Sequence, residues 1–241
     1  MHKGAHTWLM YAKSWHVWLT LMFIVLPFLY VFVFAGVGHI SAKSLFVDLG
    51  YSAYRMTVAF VIAVVLAWLM AIGFYRGKRA HIALPFFDVL QSFPTFAALP
   101  AAVALWGASD TTVIVFLVLT IIWPILFSLI SGLRLIRTDW QDAVKIYQLT
   151  GWQYLRRFLL PVTLPSLIVG SIIGIGEGWE ALIATEMISG TPTGLGQFFQ
   201  MYSNNPTVTA FGILGFLIFI FCLNKLVWLS LLEWSHHMVG E

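Results

Sequence analysis

The side chains able to do chemistry in apolar surroundings are few here, and most are acidic. The stretch GIGEGWEALIATEM places Glu177, Glu180 and Glu186 within ten residues, and Asp88 and Asp110 stand in or beside other apolar runs. Carboxylates in such places can relay protons, hold cations or repel anions, and each is costly unless it faces water or a partner. Catalysis by pairing is excluded for Asp88 and Asp110, which a straight helix would hold about 33 Å apart. A serine nucleophile at Ser131-Gly132 lacks a base, because His2, His6, His16, His39, His81, His236 and His237 all lie at ends or in loops. Gly194-Leu195-Gly196 is a bare glycine pair, and the chain carries no Gly-Lys-Ser/Thr loop that would cradle a nucleotide.

The elements that position these groups must be membrane helices. The 241 residues are 60% hydrophobic and 10% charged, against about 45–50% and 25% in soluble domains, and the mean hydropathy is +0.89. This reads as an all-α polytopic membrane protein, one domain over 1–241, in contact with the lipid bilayer. The formal charge of +3 is dispersed between apolar runs, which gives no patch for nucleic acid. Cys222, alone, can form no intrachain disulfide. With about 20 apolar residues per crossing, six spans are expected, near 17–34, 53–74, 83–106, 111–132, 162–187 and 208–231. Pro85, Pro94 and Pro100 interrupt the third and Pro165 the start of the fifth, which a packed membrane helix tolerates. The apolar core beginning at Val17 is too long for a signal peptide's h-region, the alternative reading. Lys3, Lys13, Arg76, Lys78, Arg79, Arg134, Arg137, Lys145, Arg156 and Arg157 fall on one side of these spans and Lys43 with Arg55 on the other. The positive-inside rule then puts both termini and the loop before the fifth span in the cytoplasm.

Inside the spans, Asp88, Gln91, Glu177, Glu180 and Glu186 are the candidates for a hydrated path or gate; the bland alternative leaves Glu186 at the outer headgroup level. Gly170, Gly174 and Gly178 repeat every four residues, a face small enough for another backbone, either within the subunit or across a dimer seam. Arg55 and Lys225 are close enough to span ends to snorkel toward water.

The most informative stretch is TDWQDAVKIYQLTGWQYLRRFLLPVTLP, Thr138 to Pro165. Thr138 with Gln141 reads as a capping box. Trp140, Ala143, Val144 and Tyr147 then form one apolar stripe on a short helix expected to stop near Gly151. Trp152, Leu155 and Leu159 share the next face, Arg156 and Arg157 point to water or headgroups, and Pro161 and Pro165 mark the following apolar run. The loop at 138–161 resembles the cytoplasmic signature of permease subunits of binding-protein-dependent ABC importers: Glu-Ala-Ala, three residues, Gly, nine residues, then Ile-x-Leu-Pro. Asp142, Ala143 and Val144 match the opening triplet, Phe158 the isoleucine, and Leu160 and Pro161 the close. Gln148 stands at the glycine, with Gly151 three residues on as a substitute turn that would lengthen the first helix. Trp152-Gln153, the paired arginines and Leu-Pro look most like the nitrate, sulfonate and taurine branch.

The resemblance implies a cytoplasmic coupling helix between the fourth and fifth spans and an inner-membrane location. It implies ATPase-coupling roles for Asp142, Ala143, Val144, Gln148, Gly151, Leu160 and Pro161, and a path formed by two permease subunits, a homodimer or related chains. Its further partners are a separate ABC ATPase dimer, which carries ATP and Mg, and an extracytoplasmic substrate-binding protein; this chain itself carries no cofactor and is no enzyme. Glutamine at 91, where relatives often carry arginine, removes a fixed positive charge; if that arginine attracts an anion, the cargo here is neutral or cationic. The competing class is a scaffold subunit of an energy-coupling-factor transporter, which would show paired Ala-Arg motifs on its cytoplasmic helices; none is present.

Overall fold

The computed structural model describes residues 3–75, 77–228 and 231, with side chains from residue 18 onward. Arg76, the last two positions before Leu231 in the expected sixth span, and His2, His236 and His237 lie outside the described residues, as do the side chains of Lys3 and Lys13. The chain runs through α1 (Lys3–Gly38), α2 (Ala42–Phe74), α3 (Gly77–Gln91), α4 (Thr95–Trp106), α5 (Asp110–Arg134), α6 (Thr138–Ile146), α7 (Gly151–Tyr154), α8 (Leu160–Ser189), α9 (Leu195–Met201) and α10 (Pro206–Leu223). Single π-helical turns at Leu155–Leu159 and Asn224–Trp228 follow α7 and α10, and the described residues contain no strand. The all-α polytopic class expected from composition is what the chain adopts.

Among the described residues, five helical stretches are long and apolar enough to cross a bilayer: Trp18–Gly38, Ala42–Phe74, Asp110–Arg134, Gly151–Ser189 and Pro206–Trp228. The third expected span, 83–106, is not one helix. Its two halves, α3 and α4, meet at a 75° bend. The cause is local: Pro94 has no N–H to continue the ladder and pushes Phe93 out of the α region. α3 therefore ends in tight i→i+3 bonds from Ser92 and Phe93 to the carbonyls of Val89 and Leu90, at 3.1 Å each. Pro85 and Pro100 sit inside α3 and α4 without breaking them. Pro165 likewise lies inside α8, and helix is continuous from Gly151 because the π turn absorbs the change of register before Pro161.

The chain forms two compact units, one from residues up to 46 with 201–228, the other from 47–200. In the first, α1 packs on α10 through Phe23 against Phe221 and Phe34 against Phe211, and Tyr30 Oη donates to the Phe211 carbonyl at 2.8 Å. Gly215 makes room for that ring, since a Cβ there would lie 2.6 Å from Tyr30 Cε1.

The second unit is built around α5, whose Val113, Leu117, Ile121, Ile125, Leu126 and Leu129 are completely buried. In lipid no hydrophobic force drives helices together, so close fit must do it. α8 supplies that fit with its glycines. A Cβ on Gly170 would stand 2.8 Å from Ile125 Cα, and one on Gly174 would stand 3.1 Å from the Ile121 carbonyl. A Cβ on Gly178 would meet Met56 of α2 at 2.6 Å as well as Ile121. The glycine face, which the sequence left open between packing and a subunit seam, is thus filled by α5 of the same chain. Ser128 Oγ donates to the Ser166 carbonyl at 2.7 Å across the same contact. α2 brings its own small face, Ala59, Ala63, Ala67 and Ala71, all fully buried, and Trp68 Nε1 donates to Thr163 of α8 at 3.3 Å.

Gly174→Leu should therefore wedge α8 from α5 and destabilise the protein by about 1–3 kcal/mol. Gly176→Ala, with open space around its Cβ position, should be neutral or gain up to about 1 kcal/mol of helix stability. Thermal unfolding of the purified variants in detergent distinguishes the two.

Candidate functional site

The signature loop folds as a short helix, α6, beside the foot of α8. The stripe Trp140, Ala143, Val144 and Tyr147 turns toward Phe158, Pro161 and Val162, and together with Leu149 and Arg157 they line an open groove. Asp139, Asp142, Lys145 and Ile146 face outward and are exposed. Ala143, Val144 and Pro161 of the signature therefore line this groove, while Asp142 belongs to the free surface; Leu160 is also partly exposed. Lys145 Nζ donates to Asp142 Oδ1 at 2.7 Å, and Arg137 bridges Asp139 at 2.7 Å. The Arg137 hydrogen bond keeps the Asp139 carboxyl below the usual carboxylate range.

Two expectations for this loop are corrected. The capping box does not form: Thr138 is already helical, Arg137 is the N-cap, and Gln141 Nε2 donates instead to the Ile136 carbonyl at 3.1 Å. The first helix is not lengthened to Gly151 but stops at Ile146, because Gln148 itself takes the left-handed turn, with φ at 48°. That is a conformation glycine enters freely and a side chain resists, which gives a physical reason for the signature's glycine at this position. Gly151 makes a second left-handed turn, φ 51°, into α7.

The acidic residues of the expected path separate into two environments. Glu177 and Glu180 are exposed on α8, on a stripe with Val169, Ile173 and Gly176 that nothing in the second unit covers among the described residues. Asp88 and Gln91 are exposed on α3, where Gln91 Nε2 donates to Asp88 Oδ1 at 2.6 Å. Glu186 is different. It is fully buried within the protein, and its partner is Arg55, which does not snorkel and is only 2% exposed.

Arg55 of α2 is the hub of a cluster that sequence reasoning missed. Its Nη1 donates to Glu186 Oε1 at 2.6 Å and to the Thr193 carbonyl at 2.7 Å, its Nε donates to Asp110 Oδ1 at 2.7 Å, and its Nη2 reaches Thr193 Oγ1 at 3.1 Å. Ser52, one turn earlier on α2, donates to both Glu186 oxygens at 2.9 Å. The loop after α8 closes the set with backbone N–H groups: Gly194 to Asp48 at 3.0 Å, Leu195 to Ser52 Oγ at 2.8 Å, Gly196 to Glu186 Oε2 at 2.9 Å. The glycine pair is needed because a Cβ on Gly194 would fall 2.5 Å from the Glu186 carboxylate, and one on Gly196 would overlap Glu186 Cβ. The cluster ties the start of α2, the start of α5 and the end of α8 at one end of the unit. The available sequence signals were an arginine, two acids and a glycine pair spread over some 140 positions, with no spacing rule to join them.

Arg55→Met should cost about 3–5 kcal/mol by leaving Glu186 buried without its counter-charge, whereas Arg55→Met with Glu186→Met should cost less than the sum of the single changes. Gln148→Gly should stabilise by about 1 kcal/mol by relieving the left-handed turn. Both are read from unfolding midpoints in detergent.

Comparison with known proteins gives a consistent result. Residues 63–229 match the family described as binding-protein-dependent transport system inner membrane component. The chain is 30% identical over 191 residues to the nitrate import permease protein of Leptolyngbya laminosa, a match covering 75% of this chain and 67% of that one. It is 31% identical over 195 residues to the nitrate import permease protein of a Synechocystis strain, covering 77% and 70%. A bicarbonate transport system permease protein of Synechococcus elongatus is 28% identical over 165 residues, covering 68% and 59%. With its helices, its signature loop and its uncovered acidic stripe, this chain belongs to the binding-protein-dependent transport system inner membrane components, the permease subunits of ABC importers, on the nitrate and sulfonate branch.

Proposed function

We propose that the chain is the membrane subunit of an ATP-driven importer, in which α6 receives the motion of a separate ATPase dimer and α8 carries it to the substrate path. The observation that carries this reading is one of placement: the apolar stripe of α6 shares a groove with the foot of the same helical stretch, Gly151–Ser189, that bears Glu177 and Glu180. ATP and Mg belong to the ATPase, which closes and opens beneath the membrane. Each of its states favours one position of α6, and alternating access needs only that differential preference. The lysines and arginines around α6 place this face in the cytoplasm by the positive-inside rule, with both termini on the same side. An extracytoplasmic binding protein delivers the cargo on the other.

A second permease subunit, a copy or a related chain, accounts for the uncovered α8 stripe, because carboxylates at membrane depth require water or a protein partner. Asp88 and Gln91 of α3 complete the polar groups offered to that path. The relatives carry names of nitrate and bicarbonate systems, yet the polar side chains on these exposed faces are acids and an amide. We favour a neutral or cationic cargo, since two fixed carboxylates repel a small anion.

Tagged protein drawn from its native membranes should carry ATPase activity with it. Asp142→Lys, on the outward face of α6, should reduce the associated ATPase by about tenfold or more, the equivalent of ~1.4 kcal/mol of docking energy, with the unfolding midpoint unchanged. A native chain that elutes without any ATPase would sink the reading.

A further inference from the structure

We infer that the groove between α6 and the foot of α8 is a binding site for one anionic phospholipid. The groove, an open cavity of about 240 Å³, is walled by Trp140, Val144, Tyr147, Phe158 and Val162, with Arg157 at its edge. The two neighbouring cations of α6 and its N-cap are already neutralised, Lys145 by Asp142 and Arg137 by Asp139, at 2.7 Å each. Arg157 is exposed and has no carboxylate partner among the described residues. An apolar trough ending at an unpaired guanidinium calls for a ligand with a hydrocarbon tail and a negative head.

The position of the groove selects a lipid over a protein segment. The helical rod Gly151–Ser189 has 39 residues, about 58 Å at the α-helical rise, against about 30 Å of hydrocarbon core. The rod is longer than that core, and the paired Arg156 and Arg157 draw its foot to the headgroup layer, where Trp and Tyr rings are at home and where phospholipid is the most concentrated solute. The outward face of α6, offered to the ATPase, is the opposite one. A basic pocket at the cytoplasmic ends of membrane helices is the kind of surface that gathers anionic headgroups. The bound lipid would fill the space beneath the coupling helix and stiffen its seat on α8. This inference rests on α8 crossing the membrane and not on the transport cycle.

The test uses the full chain, delipidated in detergent, with phosphatidylglycerol or phosphatidylcholine of the same acyl chains added back and bound lipid counted by native mass spectrometry. Phosphatidylglycerol should be preferred by about fivefold, the effect of one arginine beside an anionic headgroup. Arg157→Gln should abolish the preference while Arg156→Gln, one residue away and outside the groove lining, should keep it. Ala143→Phe, which fills the trough and leaves the arginine, should lose the bound lipid. Equal losses for the two arginine variants would mean diffuse attraction and would overturn the proposal, as would retention of lipid by Ala143→Phe in protein with an unchanged unfolding midpoint. In a third arm, Val144→Cys is labelled with a maleimide; protection by the ATPase but not by phosphatidylglycerol would assign the groove to a protein segment. Because lipid binding is read on the isolated chain, a failure here leaves the importer reading standing, and a missing ATPase leaves this result standing.

Discussion

The ion pair between Arg55 and Glu186 is the contact on which one end of the larger unit depends. Neither charge reaches solvent, so each requires the other. Yet a pair alone would leave lone pairs and N–H groups unspent in a medium that penalises them. The structure answers with Ser52, Thr193, Asp110 and the Gly196 N–H, while the N–H groups of Gly194 and Leu195 hold Asp48 and Ser52 beside the pair. Everything these groups belong to is thereby held in register: the early turns of α2, the first residue of α5, the last turns of α8 and the loop into α9.

Along the rest of the unit, proximity is a matter of small residues. Three glycines of α8 meet Ile121 and Ile125 with no room for a methyl group, and the four buried alanines of α2 do similar work on a second face. The same helix therefore has two opposite characters. Its glycine side is committed to α5, and that commitment leaves Glu177 and Glu180 turned outward. What stays exposed on α8 is decided by what is used up in packing.

At the other end of α8, the signature loop is a short helix with two unlike sides. Its apolar stripe faces an open groove shared with Phe158, Pro161 and Val162, and its charged side is exposed. The left-handed turn at Gln148 fixes the return angle of the chain toward α7, at a conformational cost that glycine would avoid. The π turn at Leu155–Leu159 then lets the chain pass Pro161 without a break, so that loop and span form one mechanical element.

Composition and periodicity by themselves determined the class, the apolar stretches long enough to cross a bilayer, the amphipathic loop helix and the residues of its stripe. These follow from transfer energy and from the 3.6-residue period, which act on neighbouring positions in the chain. The acids of α8 were visible as anomalies but not distinguishable from one another. Whether a carboxylate is sealed or exposed depends on which helix lies over it, and only the tertiary structure decided that Glu186 meets Arg55 while Glu177 and Glu180 meet nothing of their own unit. The same holds for the glycine repeat, whose small face suits any close neighbour and was settled by α5. It holds also for the third span, where proline positions were legible but the 75° bend at Pro94, and the straightness at Pro85, Pro100 and Pro165, rested on the packing and hydrogen bonds around each. Long-range charge pairing leaves no period in a sequence, because its partners are joined through space and not along the chain.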